Sequence, residues 1–285
     1  MEKSYRSIKR IVRGVHTTDG AGVHLVRVVG QNDIDDFDPF LMLDAFDSDD
    51  PADYVAGFPW HPHRGIETVT YLIEGDIEHG DSLGNRGSIK DDDCQWMTAG
   101  SGIIHQEMPQ ATDSMLGAQL WLNLPADDKM CDPQYGDIQK ENVPVVKDDI
   151  ATVRVLAGSY GEIEGAFQGQ HVPMTYLDVE VNPNQEWEFP SDPEATLFVY
   201  LVSGSASFDG GENFEDHHQA VLFTQDEYLR VKAGKEGARM LLLQAHPLHE
   251  PVAWGGPVVM NTDEELRQAF KDIRNDTFIR HEPAM

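Results

Sequence analysis

The chain is poor in cysteine and has no long apolar run. Its two cysteines, Cys94 and Cys131, among 285 residues fit neither a disulfide framework nor a zinc-binding spacing, so we expect two free thiols in a reducing compartment. No stretch reaches the ~20 consecutive apolar residues that a transmembrane helix needs. Residues 1–14 are basic and polar and lack the apolar core of a signal peptide. These absences together predict a cytoplasmic protein without membrane association.

Positive charge is also scarce. Lys and Arg number 21 against 50 Asp and Glu, which gives a formal net charge of −29 at pH 7. Because a nucleic-acid backbone is bound through a basic surface, we expect no direct nucleic-acid binding. Two explanations of the acidity stay open: a saline habitat, or ordinary solubility through self-repulsion. Neither explanation concerns the chemistry of a buried site.

Short segments rich in β-branched and apolar residues recur along the chain, separated by Gly, Asp, Asn and Pro. In Leu116–Leu124, apolar residues at every second position predict a strand with one buried face. Many short strands with turn signals between them predict an all-β fold of the sandwich or barrel type. The predicted strands are 23–29, 40–46, 66–73, 103–108, 116–124, 152–156, 174–181, 195–202, 220–231 and 239–244.

One helix is predicted near the C-terminus. Thr262 and Glu265 have the spacing of a capping box, in which each residue bonds a backbone N–H of the other. Apolar residues follow at helical spacing at 266, 269, 270 and 273. We therefore predict a helix over 263–275 that packs against the body of the protein.

A weak internal repeat predicts two related domains. Self-similarity at so long an interval indicates a duplicated domain rather than a solenoid, and we place the domains at 1–135 and 136–285. In this alignment His105 corresponds to Met240 and Glu107 to Leu242, so the second domain is expected to lack metal ligands. The matched segments are 71–75 with 200–204 and 99–105 with 233–240.

Two short runs, His61-Pro62-His63 and His105-Gln106-Glu107, carry the residues best suited to bind a metal. On a strand, residues i and i+2 point to the same face, so each run can present two side chains together. A His and a Glu on one face of an apolar strand are costly to bury unless paired or metal-bound. We therefore predict one metal site with the ligands His61, His63, His105 and Glu107.

The donor set narrows the choice of metal. Three imidazoles and a carboxylate without a thiolate disfavour a structural zinc site and suit Fe(II), Mn, Co, Ni or Cu. Four protein ligands in an octahedral shell leave two positions for a substrate or dioxygen. Glu107 could also act as a base if it leaves the metal.

Glu67 and the other histidines are weaker candidates. Glu67 could be a fifth ligand, an acceptor for an imidazole N–H, or a structural hydrogen-bond acceptor, and we expect one of the last two roles. Several histidines lack a partner at matching spacing and are expected at the surface or hydrogen-bonded in the core. They are His79, His171, His217, His218, His246 and His249.

Longer runs around these residues resemble the pirin family. The resemblance covers most of residues 20–275 and implies two cupin (jelly-roll) domains, a bicupin, with one metal site in the N-terminal domain. It implies iron, as Fe(II), with Mn, Co, Ni, Cu or Zn as alternatives, on His61, His63, His105 and Glu107. It also implies that Glu67 is not a ligand. The matching runs are DPFLMLD (38–44), FPWHPHRGIETVTY (58–71), QWMTAGSGIIHQEMP (95–109), GAQLWLNL (117–124), PLHEPV (247–252) and GPVVMNT (256–262).

The resemblance leaves more than one function open. It implies an iron-dependent dioxygenase acting with O₂ on quercetin or a related aromatic polyphenol, in which Glu107 would be the catalytic base that accepts the proton of the substrate 3-hydroxyl. One alternative is an iron-dependent redox sensor that binds a transcription factor or a metabolic enzyme, which leaves room for a protein partner. Another is a detoxifying cupin with an unrelated substrate. We expect a monomer.

Overall fold

The computed structural model describes residues 3–211 and 213–281, and strands dominate it. The helices are α1 (Ile34–Phe37) and α2 (Asp263–Arg274). No helix in the described part of the chain has both the length and the apolar character that a membrane crossing requires. The strands are β1 (Ile8–Arg13), β2 (Val15–Asp19), β3 (Val23–Val29), β4 (Phe40–Ser48), β5 (Phe58–His63), β6 (Ile66–Glu74), β7 (Asp76–Asp81), β8 (Arg86–Lys90), β9 (Cys94–Thr98), β10 (Ile103–Pro109), β11 (Met115–Asn123), β12 (Gln134–Ile138), β13 (Val145–Lys147), β14 (Ala151–Ala157), β15 (Ser159–Tyr160), β16 (Ile163–Glu164), β17 (Met174–Val181), β18 (Glu186–Pro190), β19 (Thr196–Ser207), β20 (Glu215–Asp216), β21 (Gln219–Phe223), β22 (Tyr228–Ala245), β23 (Ala253–Gly255) and β24 (Val258–Met260).

The chain divides into two compact units whose segments alternate along the sequence. The predicted division into 1–135 and 136–285 follows chain order. In the structure, the N-terminal segment belongs with most of the second half of the chain, and the segment from Leu248 onward belongs with most of the first half. The physical reason is packing: β1 pairs with β21, and α2 packs on β23 and β24. The histidine unit comprises Val15–Ile34, Phe40–Lys140 and Leu248–Met285, and the apolar unit comprises Met1–Gly14, Asp35–Pro39 and Glu141–Pro247.

The histidine unit contains two antiparallel sheets. One has the strand order β12-β9-β6-β11-β4-β3-β2 and the other the order β5-β10-β7-β8. Paired antiparallel sheets of this kind are the jelly-roll arrangement. The two runs predicted to bind metal lie on β5 and β10, which are hydrogen-bonded neighbours. The predicted all-β fold with a C-terminal helix is confirmed.

Strand β11 separates the hydrophobic core of the histidine unit from a cavity. It lies between β6 and β4, and its residues Ala118, Leu120 and Leu122 are fully buried, as the alternation predicted. On the opposite face, Gln119 and Trp121 line the cavity. One alternating strand therefore supplies both core packing and the wall of a candidate site.

The apolar unit has a sheet with the order β1-β21-β19-β22-β17-β14-β13, to which β18 and β20 add at the side. The predicted bounds 220–231 and 239–244 were wrong: β21 ends at Phe223, and one long strand, β22, starts at Tyr228. The sequence repeat aligned Met240 and Leu242 with two predicted ligands, and both are fully buried in a core cluster of hydrophobic residues. That alignment was wrong: their part of β22 pairs with β17 and β19 as β11 pairs with β4 and β6, so they correspond to residues of β11 and not to His105 and Glu107 of β10.

Helix α2 begins as the sequence predicted. Thr262 Oγ1 accepts a hydrogen bond from the Glu265 N–H at 3.2 Å, and Glu265 Oε2 accepts one from the Thr262 N–H at 2.9 Å. The helix ends at Arg274. Its buried Ala269 packs in a cluster with Val258 and Met260 of β24. The predicted C-terminal helix therefore covers the histidine unit.

Candidate metal centre

Antiparallel pairing of β5 with β10 brings three histidines together. His105 lies directly opposite His61, and Ile103 lies opposite His63. One ligand atom of each histidine lies within 4.8 Å of the corresponding atoms of the other two. The ring centroids are 4.4–5.0 Å apart. The side chains that strand parity predicted to converge do converge in the structure.

Glu107 lies beside this triad of histidines and is held from its other side. Its Oε2 is 3.9 Å from His105 Nε2. Its Oε1 accepts hydrogen bonds from Gln119 Nε2 at 2.7 Å and from Thr70 Oγ1 at 3.3 Å. One carboxylate oxygen is thus fixed by neutral donors, while the other faces the histidines. Among the described residues, the potential ligand atoms that lie mutually close are those of the three histidines, so Glu107 as the fourth ligand stays a prediction.

Burial keeps the inner histidines neutral. Desolvation, reinforced by the nearby His61, lowers the pKa of His63 to about 3. Desolvation, with the neighbouring imidazoles, lowers the pKa of His105 well below its ordinary value. A metal binds the neutral imidazole through its lone pair. The protonation state that the site enforces is therefore the one that metal binding requires.

Backbone carbonyls select the tautomer of two of these histidines. His61 Nδ1 lies 2.9 Å from the Pro59 carbonyl oxygen, and His63 Nδ1 lies 3.1 Å from that of Pro257. A carbonyl can only accept a hydrogen bond, so in each ring Nδ1 carries the proton. Nε2 is then the nitrogen with the free lone pair, as in most metal-binding histidines.

His105 provides the test of whether a metal fits. It is 1% exposed, and within the described residues neither of its ring nitrogens has a hydrogen-bond partner. A buried polar group without a partner costs free energy, and native proteins rarely leave one so. A cation bound among the three imidazoles would satisfy one of these nitrogens. The residues present therefore fit a transition-metal ion.

Comparisons with known proteins match the whole of this architecture. The family described as Pirin matches residues 22–122, and the Pirin C-terminal cupin domain matches residues 176–279. The chain belongs to the pirin family. Both halves of the predicted bicupin are confirmed by these matches.

Three relatives illustrate the similarity. This pirin is 42% identical over 278 residues to a Pseudomonas aeruginosa protein named "Putative quercetin 2,3-dioxygenase", covering 95% of this chain and 97% of that one. It is 38% identical over 262 residues to human pirin, covering 90% and 89% of the two chains. A crystal structure described as a quercetin 2,3-dioxygenase from Acinetobacter baumannii superposes with a TM-score of 0.87 at 28% identity, covering 96% and 99%.

A cavity of about 620 Å³ opens onto His61, His63 and Glu107 of this pirin. The indole rings of Trp121 and Trp254 line it, with centroids 5.9 Å apart and planes inclined by 35°. The Trp121 ring is also nearly perpendicular to the His63 ring, at 83°, with 5.0 Å between ring centroids. The volume is within the usual range for small-molecule sites, and the paired indoles offer an aromatic wall next to the ligands.

Charged groups line another part of the cavity. The Arg27 guanidinium donates to both carboxylate oxygens of Asp44, at 2.9 and 2.7 Å, and to Asp19 at 2.8 Å. All three residues line the cavity, as does Gln31. Because Arg27 already serves two carboxylates, this cluster carries a net negative charge. It is suited to accept hydrogen bonds from ligand hydroxyl groups.

Other candidates from the sequence lie outside the triad. Glu67 is 1% exposed, and its Oε1 accepts a hydrogen bond from Thr98 Oγ1 at 2.7 Å, a structural bond of the kind that was one of its two expected roles. Cys94 and Cys131 are free thiols, as predicted. The predicted metal ligands therefore remain His61 and His63 of the first run and His105 and Glu107 of the second.

Sequence reasoning missed the polar surroundings of Glu107. His79 of β7 lies directly opposite Glu107 in the strand register and is 5% exposed. Its Nδ1 bonds the Tyr135 hydroxyl, and its Nε2 lies 3.5 Å from Asp137 Oδ1. The alternation of Ile77, His79 and Asp81 was the available signal, but His79 has no second ligand residue at matching spacing.

Proposed function

We propose that this pirin is a metal-dependent dioxygenase that opens quercetin or a related polyphenol with O₂. The observation that carries the proposal is the convergence of three histidines, two of them buried and held neutral, beside a cavity with an aromatic wall. Relatives named as quercetin 2,3-dioxygenases support the same reading.

Fe(II) is the metal that we propose, held by His61, His63, His105 and Glu107. Neutral imidazoles with one carboxylate suit Fe(II), and also Mn, Co, Ni or Cu. A site with thiolate ligands would favour softer ions instead. When bound, such an ion supplies Lewis acidity and one-electron redox chemistry toward dioxygen. The protein supplies the ligand orientation, through the carbonyls of Pro59 and Pro257.

Glu107 is the residue that we propose to move a proton. Gln119 and Thr70 hold Oε1, so Oε2 is the oxygen that would bind the ion and that, once it leaves the ion, would accept the proton of a substrate hydroxyl. Removing that proton makes the polyphenol electron-rich and reactive toward O₂. A positioned carboxylate base contributes about 10²–10⁴-fold to such a step.

The cavity orients the substrate. A flat polyphenol can lie against the indoles of Trp121 and Trp254, with its ring faces protected from water. Asp44, Asp19 and Gln31 can bond its peripheral hydroxyl groups. These contacts would direct one hydroxyl of the substrate toward Glu107 and the triad.

Oxygen uptake tests the proposal. Protein loaded with Fe(II) without oxygen is mixed with quercetin and air, and O₂ consumption and loss of the flavonol absorbance are followed together. We expect turnover that needs the metal, that is abolished in His61→Ala, and that falls at least ~10²-fold in Glu107→Gln. Iron-loaded wild-type protein that consumes no O₂ with quercetin or related polyphenols would refute the dioxygenase.

A further inference from the structure

We propose that Arg64 and Asp272 are positioning residues, through which the C-terminal part of the histidine unit fixes the metal ligands. This inference rests on the proposed metal centre, and its test separates the two. Arg64 directly follows the ligand His63 and is 2% exposed. A guanidinium so deeply buried must find acceptors for its donors, so the groups that it contacts define what it holds together.

The Arg64 guanidinium bonds the segment before the second ligand strand and the C-terminal segment at once. Its Nε donates to the Ser101 carbonyl at 2.7 Å, just before the strand that carries His105. One terminal nitrogen donates to Asp272 Oδ2 at 2.8 Å, and the other to the Phe278 carbonyl at 3.0 Å. The guanidinium also lies over the Phe278 ring, 4.3 Å from its centroid. One cation therefore ties the segments of both ligand runs to α2 and to the residues after it.

Backbone contacts extend the same connection to the ligand itself. The Val259 N–H donates to the Arg64 carbonyl at 3.1 Å, and the Pro257 carbonyl accepts from His63 Nδ1 at 3.1 Å. Lys129 Nζ donates to the carbonyls of Gly65 and Val259, at 2.7 and 3.0 Å. The carbonyl that sets the tautomer of His63 is thus carried by a segment that Arg64 and Lys129 hold in place.

Asp272 is the group in α2 on which this arrangement depends. It is 6% exposed, and its carboxylate also accepts from Gln268 at 2.7 Å and from Arg280 at 3.2 Å. Without its charge, Arg64 is a buried cation whose closest anionic partner is gone, and the turn that follows His63 loses its anchor. Changes in groups that orient metal ligands typically cost about 10–100-fold in metal affinity.

Co(II) binding to metal-free protein tests the inference. In Asp272→Asn we expect the Kd for Co(II) to rise about tenfold or more, the visible d–d spectrum of bound Co(II) to change, and amide exchange at Val259 to accelerate. Asp276→Asn makes the same charge change at an exposed position just after α2 and should match wild type. Thr262→Ala removes the helix cap and should lower Tm while leaving Kd and spectrum unchanged.

The outcomes are distinct. Wild-type protein that binds no Co(II) would overturn the metal centre itself. Wild-type binding with an unchanged Kd and spectrum in Asp272→Asn would overturn the positioning role alone, and so would an equal loss of affinity in Thr262→Ala, because general loosening would then suffice. If Asp272→Asn does not fold, Phe278→Leu, which removes the ring beneath Arg64, should weaken Co(II) binding, and an unchanged Kd there overturns the inference.

Discussion

Replacing His105 by Met should stabilise the metal-free protein while destroying its metal site. His105 is 1% exposed, and its two ring nitrogens lack partners within the described residues. Methionine has no polar group that needs a hydrogen-bond partner in a core. The substitution therefore removes buried polar atoms that have no partner in the metal-free protein.

The expected size of the effect follows from the buried polar atoms. A buried donor or acceptor without a partner costs about 1–3 kcal/mol. Met is close to His in volume and adapts its shape, and such exchanges in a core usually cost less than about 1.5 kcal/mol. We expect a net gain of about 1–2 kcal/mol in the free energy of unfolding. In a domain of this size that gain raises Tm by roughly 2–8 °C.

Bound metal should make wild type more stable than His105→Met, the reverse of their order without metal. At a free metal concentration of 100 Kd, wild type gains about 2.7 kcal/mol because only the folded state has the site. His105→Met gains nothing. Thermal and urea unfolding, each in chelator and in excess Co(II), should therefore show the variant more stable without metal and wild type more stable with it. A variant that is less stable than wild type in chelator would refute the reasoning about His105.

Three further predictions concern pH, the cavity and the turn after the ligands. Because burial lowers the pKa of His63 to about 3 and that of His105 well below its ordinary value, the unfolded chain binds protons below pH 6.5 that the folded metal-free protein excludes. The free energy of unfolding in chelator should therefore fall as pH drops from about 6.5 toward 3, by up to about 1.4 kcal/mol per pH unit for each histidine. Urea titrations that show no such fall would contradict these pKa shifts. Trp254→Ala should raise KM for the polyphenol about tenfold through the lost aromatic contact with an unchanged Kd for Co(II), and an unchanged KM would place the substrate elsewhere. Gly65→Ala should lower the free energy of unfolding in urea by more than about 2 kcal/mol, because φ is +78° and a Cβ would lie 1.9 Å from the Val259 carbonyl oxygen. A free energy of unfolding equal to that of wild type would contradict this geometry.

The sequence predicted the ligand triad because its geometry is local. Residues i and i+2 share a face on any strand, so His61 and His63 needed no knowledge of the fold, and His105 was placed by the same argument. The repeat was less reliable, because it aligned Met240 with His105, whereas the strand of Met240 is paired as β11 is and not as β10 is. The predictions that succeeded thus relied on periodicity or on recognisable sequence runs.

The partners of these residues could not be predicted in the same way. Pro257, Trp254 and Asp272 reach the site from the far end of the chain, and no spacing rule connects them with His63 or Arg64. The burial of Arg64, which is 2% exposed, likewise has no signature in the sequence. Long-range pairing depends on which faces remain uncovered after each sheet has formed, and that is a property of the whole fold.

The same dependence sets the smallest part of the chain that can hold the metal as proposed. A fragment ending at Lys140 would contain His61, His63, His105 and Glu107, yet it would lack the Pro257 carbonyl that accepts from His63. It would also leave Arg64 without Asp272 and Phe278, and a buried cation stripped of its partners is strongly destabilising. The ligands and the groups that orient them are about 200 residues apart in sequence. The metal centre is therefore a property of the complete histidine unit, whose C-terminal segment is as necessary to it as the strands that bear the ligands.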